Sequence, residues 1–161
     1  ATIRRQRQMC IRDSIYYGWT KRDSSQKLIP WKQKMTELMQ QPGVIEHGSV
    51  GHSQLIYEKS TSAIHYYGCT YEEIDCISLR ESAMVGCVPI TTNYAVIKEK
   101  DYCLKVAGDP QEKETQEALA DKIVEFLKNP QELVDIREKI QEYVKHETWE
   151  QVAPLWLKNI D

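Results

Sequence analysis

A strand, a helix and a second strand follow one another between residues 63 and 92, and this alternation constrains the fold more than any other feature. The pattern predicts a strand over residues 63–67, a helix over residues 75–85 that ends at Gly86, and a strand over Val88–Thr92. Short connections of this kind are typical of a parallel sheet covered by helices, in which ligands bind at the carboxyl ends of the strands. The chain is therefore predicted to be an α/β protein with a doubly wound parallel sheet.

Helices are predicted on both sides of this unit. One opens at Pro30 and a second covers His52–Ser60. After a further strand over residues 102–106, the last third of the chain has helical periodicity. Asn129 and Thr148 are each predicted to begin a helix through a capping box, because a glutamate or glutamine follows each of them three residues later.

The composition is typical of a globular domain, with 161 residues, 41% hydrophobic residues and a net charge of −3. No apolar run is long enough to span a membrane and the N-terminus lacks the apolar region of a signal peptide, so the predicted location is cytoplasmic. Basic residues are scattered among acidic ones, which argues against nucleic-acid binding. The five cysteines form no C-x-x-C pair and the four histidines no ligand motif, so free thiols and no metal site are predicted.

Residues 1–14 fit neither helical nor strand periodicity. They resemble translated adapter sequence at the ends of genes predicted from environmental reads, so we expect a non-native or disordered tail. A natural basic tail is the alternative. Residues 15–18 are predicted to form a short strand that begins the folded domain.

The segment from Glu73 to Ile90 has the most specific pattern in the chain. Seven residues separate Glu73 from Glu81, and Ser-Ala-Met-Val-Gly-Cys-Val-Pro-Ile follows Glu81 directly. This pattern resembles the donor-site motif of retaining family-four glycosyltransferases, whose second half usually reads Glu-Ala-Met-Ala-x-Gly-x-Pro-Val. The first half departs from the motif, because Ile-Asp-Cys follows Glu73 where the family usually has x-Phe-Gly.

The resemblance implies the donor-binding half of a GT-B fold over residues 15–147, with a final helix in residues 148–161 that packs toward an acceptor domain. An intact enzyme of this kind binds a nucleotide-diphospho-sugar and transfers the sugar to a hydroxyl of a glycan, lipid or other acceptor with retained anomeric configuration. The acceptor domain and the first strand and helix of the donor domain have no match in this sequence, so the chain alone is expected to be inactive. At least one of Trp149 and Trp156 is then expected to be exposed.

Two acidic residues and a helix start form the predicted donor site. A helix that begins near Asp75 presents free amides and a partial positive charge, which suits a diphosphate bound to the amides of Asp75, Cys76 and Ile77. Glu81 suits two vicinal ribose hydroxyls, because hydrogen bonds to a carboxylate are strong. The resemblance implies that Glu73 holds the donor sugar and stabilises positive charge at the anomeric carbon. No metal or other cofactor is implied, since amides and basic side chains normally neutralise the diphosphate in this fold.

Gly48 and Gly51 are predicted to shape the loop at which the resemblance puts the nucleotide base, with a plain turn as the alternative. Glu73 and Glu81 could instead be solvated helix residues. The chain could also belong to another GT-B enzyme, such as a sugar-nucleotide epimerase, or be a non-catalytic docking module. Dehydrogenase and P-loop functions are disfavoured because their glycine motifs do not occur.

Overall fold

The computed structural model describes residues 29–44 and 50–158. The elements follow one another as α1 (Ile29–Met39), α2 (His52–Ser60), β1 (Ile64–Tyr67), α3 (Ile77–Met84), β2 (Val88–Thr92), a 3₁₀ helix (Ala95–Glu99), β3 (Leu104–Val106), α4 (Lys113–Lys128), α5 (Pro130–Val144) and α6 (Trp149–Leu157). The predicted α/β class is confirmed. The strand predicted over residues 15–18 lies outside the described residues.

The three described strands form one parallel sheet in the order β1-β2-β3. Ile64 pairs with Val88, and Ile90 with Leu104. Parallel neighbours need a crossover connection, which α3 supplies between β1 and β2 and the 3₁₀ helix supplies between β2 and β3. The carboxyl ends of the strands therefore lie at one edge of the sheet, where the loops after β1 and β2 begin.

The hydrophobic core lies between this sheet and helices α3, α4 and α5. Helix α3 packs on β2 and on α5, and α4 packs on β2, β3 and α5. Leu79, Ile90, Phe126 and Val144 are almost completely buried in this core. Each such side chain contributes about 1.5–3 kcal/mol through removal of apolar surface from water. The packing fixes α3, the central helix of the predicted motif, against the sheet.

Gly86 ends α3 as predicted, because it follows the C-cap residue Val85 and has a φ of 81°. That left-handed conformation favours glycine. A Cβ atom here would also lie 3.2 Å from Gln141 and 3.3 Å from Arg137, both on α5. Two structural features therefore favour glycine at position 86: its left-handed backbone conformation and the close approach of α5.

Two predicted capping boxes are wrong. Asn129 and Thr148 occupy the N-cap positions of α5 and α6, but neither side chain makes a capping hydrogen bond. Asn129 is also the C-cap of α4, and its ψ of 68° differs from the extended backbone of an N-cap residue. The Thr148 side chain instead hydrogen bonds with Glu150.

Helix α6 contains Pro154 and has no buried residue. Trp149 is 73% exposed and Trp156 62% exposed, and their rings meet edge to face with centroids 6.4 Å apart. The expectation that at least one of these tryptophans is exposed is therefore confirmed. Free thiols are confirmed for the four cysteines within the described ranges, all of them buried, and Cys10 lies outside those ranges.

Candidate functional site

The loop of residues 68–76 joins the carboxyl end of β1 to α3 and carries three of the seven predicted site residues, Glu73, Asp75 and Cys76. Two buried cysteines hold it against the sheet. The carbonyl oxygen of Cys69 accepts a hydrogen bond of 3.1 Å from Oγ1 of Thr92, the last residue of β2, and Cys76 is the N-cap of α3. The loop is thereby tied to two neighbouring strands at the edge where parallel sheets bind their ligands.

Glu73 lies in this loop, before α3 begins, with its side chain partly exposed. Its Oε2 accepts a hydrogen bond of 2.6 Å from the hydroxyl of Tyr67, whose oxygen lies 2.8 Å from the hydroxyl of Tyr71. Because the single Tyr67 proton goes to Glu73, Tyr71 is the donor in the second bond. Burial, and then the hydrogen bond to Glu73, raise the pKa of Tyr67, so its hydroxyl stays protonated. We refer to Tyr67, Tyr71 and Glu73 as the tyrosine cluster.

Glu81 lies on the second turn of α3 and is bound through both carboxylate oxygens. Oε2 accepts a hydrogen bond of 2.9 Å from Nζ of Lys59, and Oε1 lies 2.7 Å from Nε2 of His52. Partial burial would raise the pKa of Glu81, but the hydrogen bonds from Lys59 and His52 and the positive charge of Lys59 outweigh it and lower that pKa. Glu81 is therefore a carboxylate at neutral pH, held from α2, with 23% of its side chain exposed.

Lys59 is the residue that the sequence analysis missed. Its side chain is fully buried, and its ammonium group donates to the carbonyl oxygen of Ser78 (2.9 Å), to Oγ of Ser78 (3.0 Å) and to Glu81. An ammonium group has three protons, so each of them has an acceptor. The helical phase of α2 contained the signal, because Lys59 shares the inward-facing side predicted for Leu55 and Ile56.

Ser82 and His65 extend these polar contacts into the core. Oγ of Ser82 lies 2.9 Å from the carbonyl oxygen of Ser78 and 2.7 Å from Nδ1 of His65. A carbonyl only accepts, so Ser82 donates to Ser78 and Nδ1 of His65 carries the proton that it donates to Ser82. Burial, and then the charge of Lys59, lower the pKa of His65 to about 3, so the ring is neutral. We refer to Lys59, Ser78, Glu81, Ser82 and His65 as the lysine network.

Helix α3 begins slightly later than predicted. Its first residue is Ile77 and its N-cap is Cys76, whose carbonyl accepts the amides of both Leu79 and Arg80. The amide of Ile77, in the first turn, has no acceptor within the helix. Of the three amides predicted to face a diphosphate, those of Cys76 and Ile77 belong to the helix terminus, whereas that of Asp75 precedes it.

The Asp75 side chain is neutralised by two cations. Its carboxylate pairs with Nη2 of Arg80 at 3.0 Å and with Nζ of Lys100 at 2.9 Å, while Nε of Arg80 donates to Glu147 at 2.7 Å. Partial burial would raise the pKa of Asp75, but the hydrogen bonds from Lys100 and Arg80 lower it by more. These cations offset a carboxylate that would otherwise repel an anion at the start of α3.

Gly51 is the N-cap residue of α2, with φ and ψ of −68° and 157°. A Cβ atom at this position would meet nothing within 4 Å. Neither the backbone nor the available space requires glycine here, so contact with a nucleotide base stays a prediction without steric support. Gly48, the other residue of the predicted base loop, lies outside the described residues.

Glu73 and Glu81 flank the amino end of α3, one in the preceding loop and the other on the second helical turn. Within the described residues they share no hydrogen-bonding partner, since one belongs to the tyrosine cluster and the other to the lysine network. Helical geometry applies only from Ile77 onward. It therefore does not fix the direction of Glu73.

No protein-family model matches this chain, and comparison with the curated proteins finds no significant match. Throughout residues 29–44 and 50–158, every helix is too short or too polar to cross a membrane. In the same ranges, no three His, Cys, Asp or Glu side chains are grouped so that they could hold a metal ion. The two clusters around α3 are therefore the features from which a function can be derived.

Proposed function

We propose that this chain is the donor-binding domain of a retaining GT-B glycosyltransferase whose donor is a nucleotide-diphospho-sugar. The observation that carries the proposal is the position of Glu73 and Glu81, which flank the amino end of α3 at the carboxyl end of β1. Parallel α/β sheets bind nucleotides at this edge. The parallel strands and their crossover through α3 support a Rossmann-like, doubly wound domain as the setting of this site.

Each part of the donor then has a matching group. The diphosphate binds at the amino end of α3, where the amide of Ile77 and the helix dipole favour an anion. The ribose hydroxyls donate to the carboxylate of Glu81, which is ionised and partly exposed. Asp75 does not oppose the diphosphate, because Arg80 and Lys100 compensate its charge.

Glu73 takes the role of stabilising positive charge at the anomeric carbon. Its hydrogen-bonding partner Tyr67 is a neutral donor, and within the described residues no salt bridge pairs the negative charge of the carboxylate with a cation. A fixed charge of this kind acts mainly in the transition state, where the loss of one preorganised group typically costs roughly 10²–10³ in kcat. In an enzyme that includes an acceptor domain, Glu73→Gln therefore lowers kcat more than donor affinity.

The exposed apolar side of α6 supports contact with an acceptor domain, which would complete the cleft. Sugar transfer then requires that domain as well, because the acceptor binds on the opposite wall of the cleft. The same exposed side favours a second function, that of a non-catalytic docking module. For the first function, a cytoplasmic location agrees with the nucleotide-sugar donor.

Calorimetric titration of the 161-residue chain with ADP, GDP and UDP tests the donor site. We expect one diphosphate to bind, and Glu81→Gln to weaken it by about 10- to 100-fold, the effect of about 1.5–3 kcal/mol for hydrogen bonds to a charged group. Glu73→Gln should leave the affinity within about twofold. Glu72→Gln, in the exposed part of the same loop, is the matched control.

Two results would contradict the proposal. One is the absence of binding for all three diphosphates at millimolar concentration. The other is an equal loss of affinity in Glu73→Gln and Glu81→Gln, which would mean that the donor does not lie across α3 as proposed. Saturable binding of a partner protein to α6 without any diphosphate binding would favour the docking module.

A further inference from the structure

Within residues 29–44 and 50–158, Lys59 is the one Lys, Arg, Asp or Glu side chain that is fully buried. Removing an ammonium group from water is costly, and even a well-paired buried ion pair often contributes less to stability than apolar side chains of similar volume. A lysine at this position is therefore a poor choice for stability alone. A buried charge at this position is explained if Lys59 serves to hold the Glu81 carboxylate in place.

The two carboxylate oxygens of Glu81 have unlike partners. Oε2 is bound to Lys59, whose side chain is 0% exposed, whereas Oε1 is bound to His52, whose side chain is 70% exposed. A ligand that approaches from solvent can displace the exposed imidazole and take its place. It cannot displace the buried ammonium group, which two further hydrogen bonds to Ser78 hold in position.

We propose that Lys59 is a positioning residue that fixes Glu81 for the two hydroxyls of a ribose, and that His52 covers Oε1 until the ribose displaces it. This inference rests on the proposed function, because it takes the ligand to be a nucleoside diphosphate. Lys59 does not touch the ligand and acts only through the carboxylate. His52 competes with the ligand, so the two residues of α2 affect binding in opposite directions.

Lys59→Met tests the first half of the proposal, because methionine fills the same space without a charge. We expect this variant to keep the wild-type circular dichroism spectrum and to bind the preferred diphosphate at least tenfold more weakly. In a Glu81→Gln background the same substitution should change affinity less than twofold, since Lys59 has no other route to the ligand. Additive losses in the double variant would overturn the proposal.

The 2′-deoxy form of the same diphosphate separates a positioning role from a general structural one. It lacks one of the two hydroxyls, so Lys59→Met should weaken its binding clearly less than that of the ribose form. An equal loss for both forms would mean that the substitution damages the site as a whole. If Lys59→Met does not fold, Ser78→Ala is the alternative, because it removes one acceptor of the ammonium group. This variant should bind the ribose form several-fold more weakly than the wild type, and its loss of affinity for the 2′-deoxy form should be smaller.

His52→Ala tests the second half. We expect its affinity for the diphosphate to equal or exceed that of the wild type, because the ligand no longer competes with the imidazole. A loss as large as that of Lys59→Met would show that His52 contacts the ligand and would overturn the covering role.

Titration of Glu81, followed by the carbon-13 NMR signal of its carboxyl group, tests this inference separately from the proposed function. If the wild type binds no diphosphate, the proposed function fails, but the effect of Lys59 on Glu81 is still measured. Lys59→Met should then raise the pKa of Glu81, because the ammonium group that donates to the carboxylate and stabilises its ionised form is lost. An unchanged titration would overturn the positioning role as well.

Discussion

The lysine network and the tyrosine cluster lie on either side of the amino end of α3, yet they hold a carboxylate by different means. Glu81 is bound by a buried cation that cannot leave, whereas Glu73 is bound by a neutral hydroxyl. A group that binds a ligand in its ground state gains from fixed orientation. A group that faces a developing positive charge must keep its own charge uncompensated. The difference therefore suits a division between binding and catalysis.

The largest effect should be a loss of stability at acidic pH, caused by His65 in the lysine network. Its pKa is about 3 in the folded chain and about 6.5 when unfolded, so between these values the unfolded chain binds more protons and stability falls as pH falls. The free energy of unfolding should decrease by up to about 1.4 kcal/mol per pH unit below pH 6.5. Urea unfolding, followed by circular dichroism at several pH values, measures the slope.

Two variants show whether burial causes this slope. His65→Asn should flatten it, because the titrating ring is gone. Ser82→Ala should lower stability at every pH but keep the slope, since burial and not the Ser82 hydrogen bond is the main cause of the lowered pKa. Parallel curves for the wild type and His65→Asn would show that water reaches His65 in the folded chain.

The next effect compares the two glutamates directly at neutral pH. Glu81→Ala should cost about 2–3 kcal/mol, because Lys59 then stays buried without a countercharge, although water can reach the partly exposed site. Glu73→Ala should cost about 1.5 kcal/mol, the lower end of the range for a hydrogen bond to a charged group, because Tyr67 donates to the Glu73 carboxylate in a partly exposed loop. Glu72→Ala, on the exposed loop, should stay within about 0.5 kcal/mol of the wild type. Equal losses at Glu73 and Glu81 would remove the contrast.

Within the tyrosine cluster, the two hydroxyls should differ. Tyr67→Phe removes the half-buried donor to the Glu73 carboxylate and should cost about 1.5 kcal/mol in urea unfolding. Tyr71→Phe removes a hydroxyl from a residue that is 59% exposed and should cost less than about 0.5 kcal/mol. The reverse order would mean that Tyr71 and not Tyr67 anchors Glu73.

The smallest effect tests the helix that carries Lys59 and His52. Gly51 is the N-cap of α2 but supplies no side-chain cap, and a Cβ atom there meets nothing. Gly51→Ser should therefore stabilise the chain by a few tenths of a kcal/mol, without touching either glutamate. A measurable loss would show that something outside the described residues approaches this position.

Elements with sharp ends were predictable from sequence. The predicted bounds of His52–Ser60 and Val88–Thr92 agree with the structure, and Gly86 ends α3 as expected from its position after a helical run. The bounds of β3 and the start of α3 were less accurate. Local patterns there begin before the first hydrogen-bonded residue, so the first residues of each predicted element lie in loops.

The partners of the two glutamates could not be read from sequence. Lys59 lies 22 positions before Glu81, and its burial depends on how α2 packs on α3. The sequence shows that a charged residue lies on the inward-facing side of a helix and therefore needs a countercharge. It does not show which acidic residue supplies that charge. Tyr67 is nearer to Glu73, yet it contacts that residue only because the loop after β1 turns back, which no local pattern specified.

The exposed tryptophans also determine how this chain behaves in a fluorimeter. Of the chain's four tryptophans, Trp31 is 43% exposed, Trp149 73% and Trp156 62%, so most of the indole emission comes from rings already in water. Unfolding by urea should shift that emission only slightly, and a flat signal would not mean that the protein resists denaturant. Any molecule that covers α6 should move the emission to shorter wavelength, so unlabelled protein reports its own association.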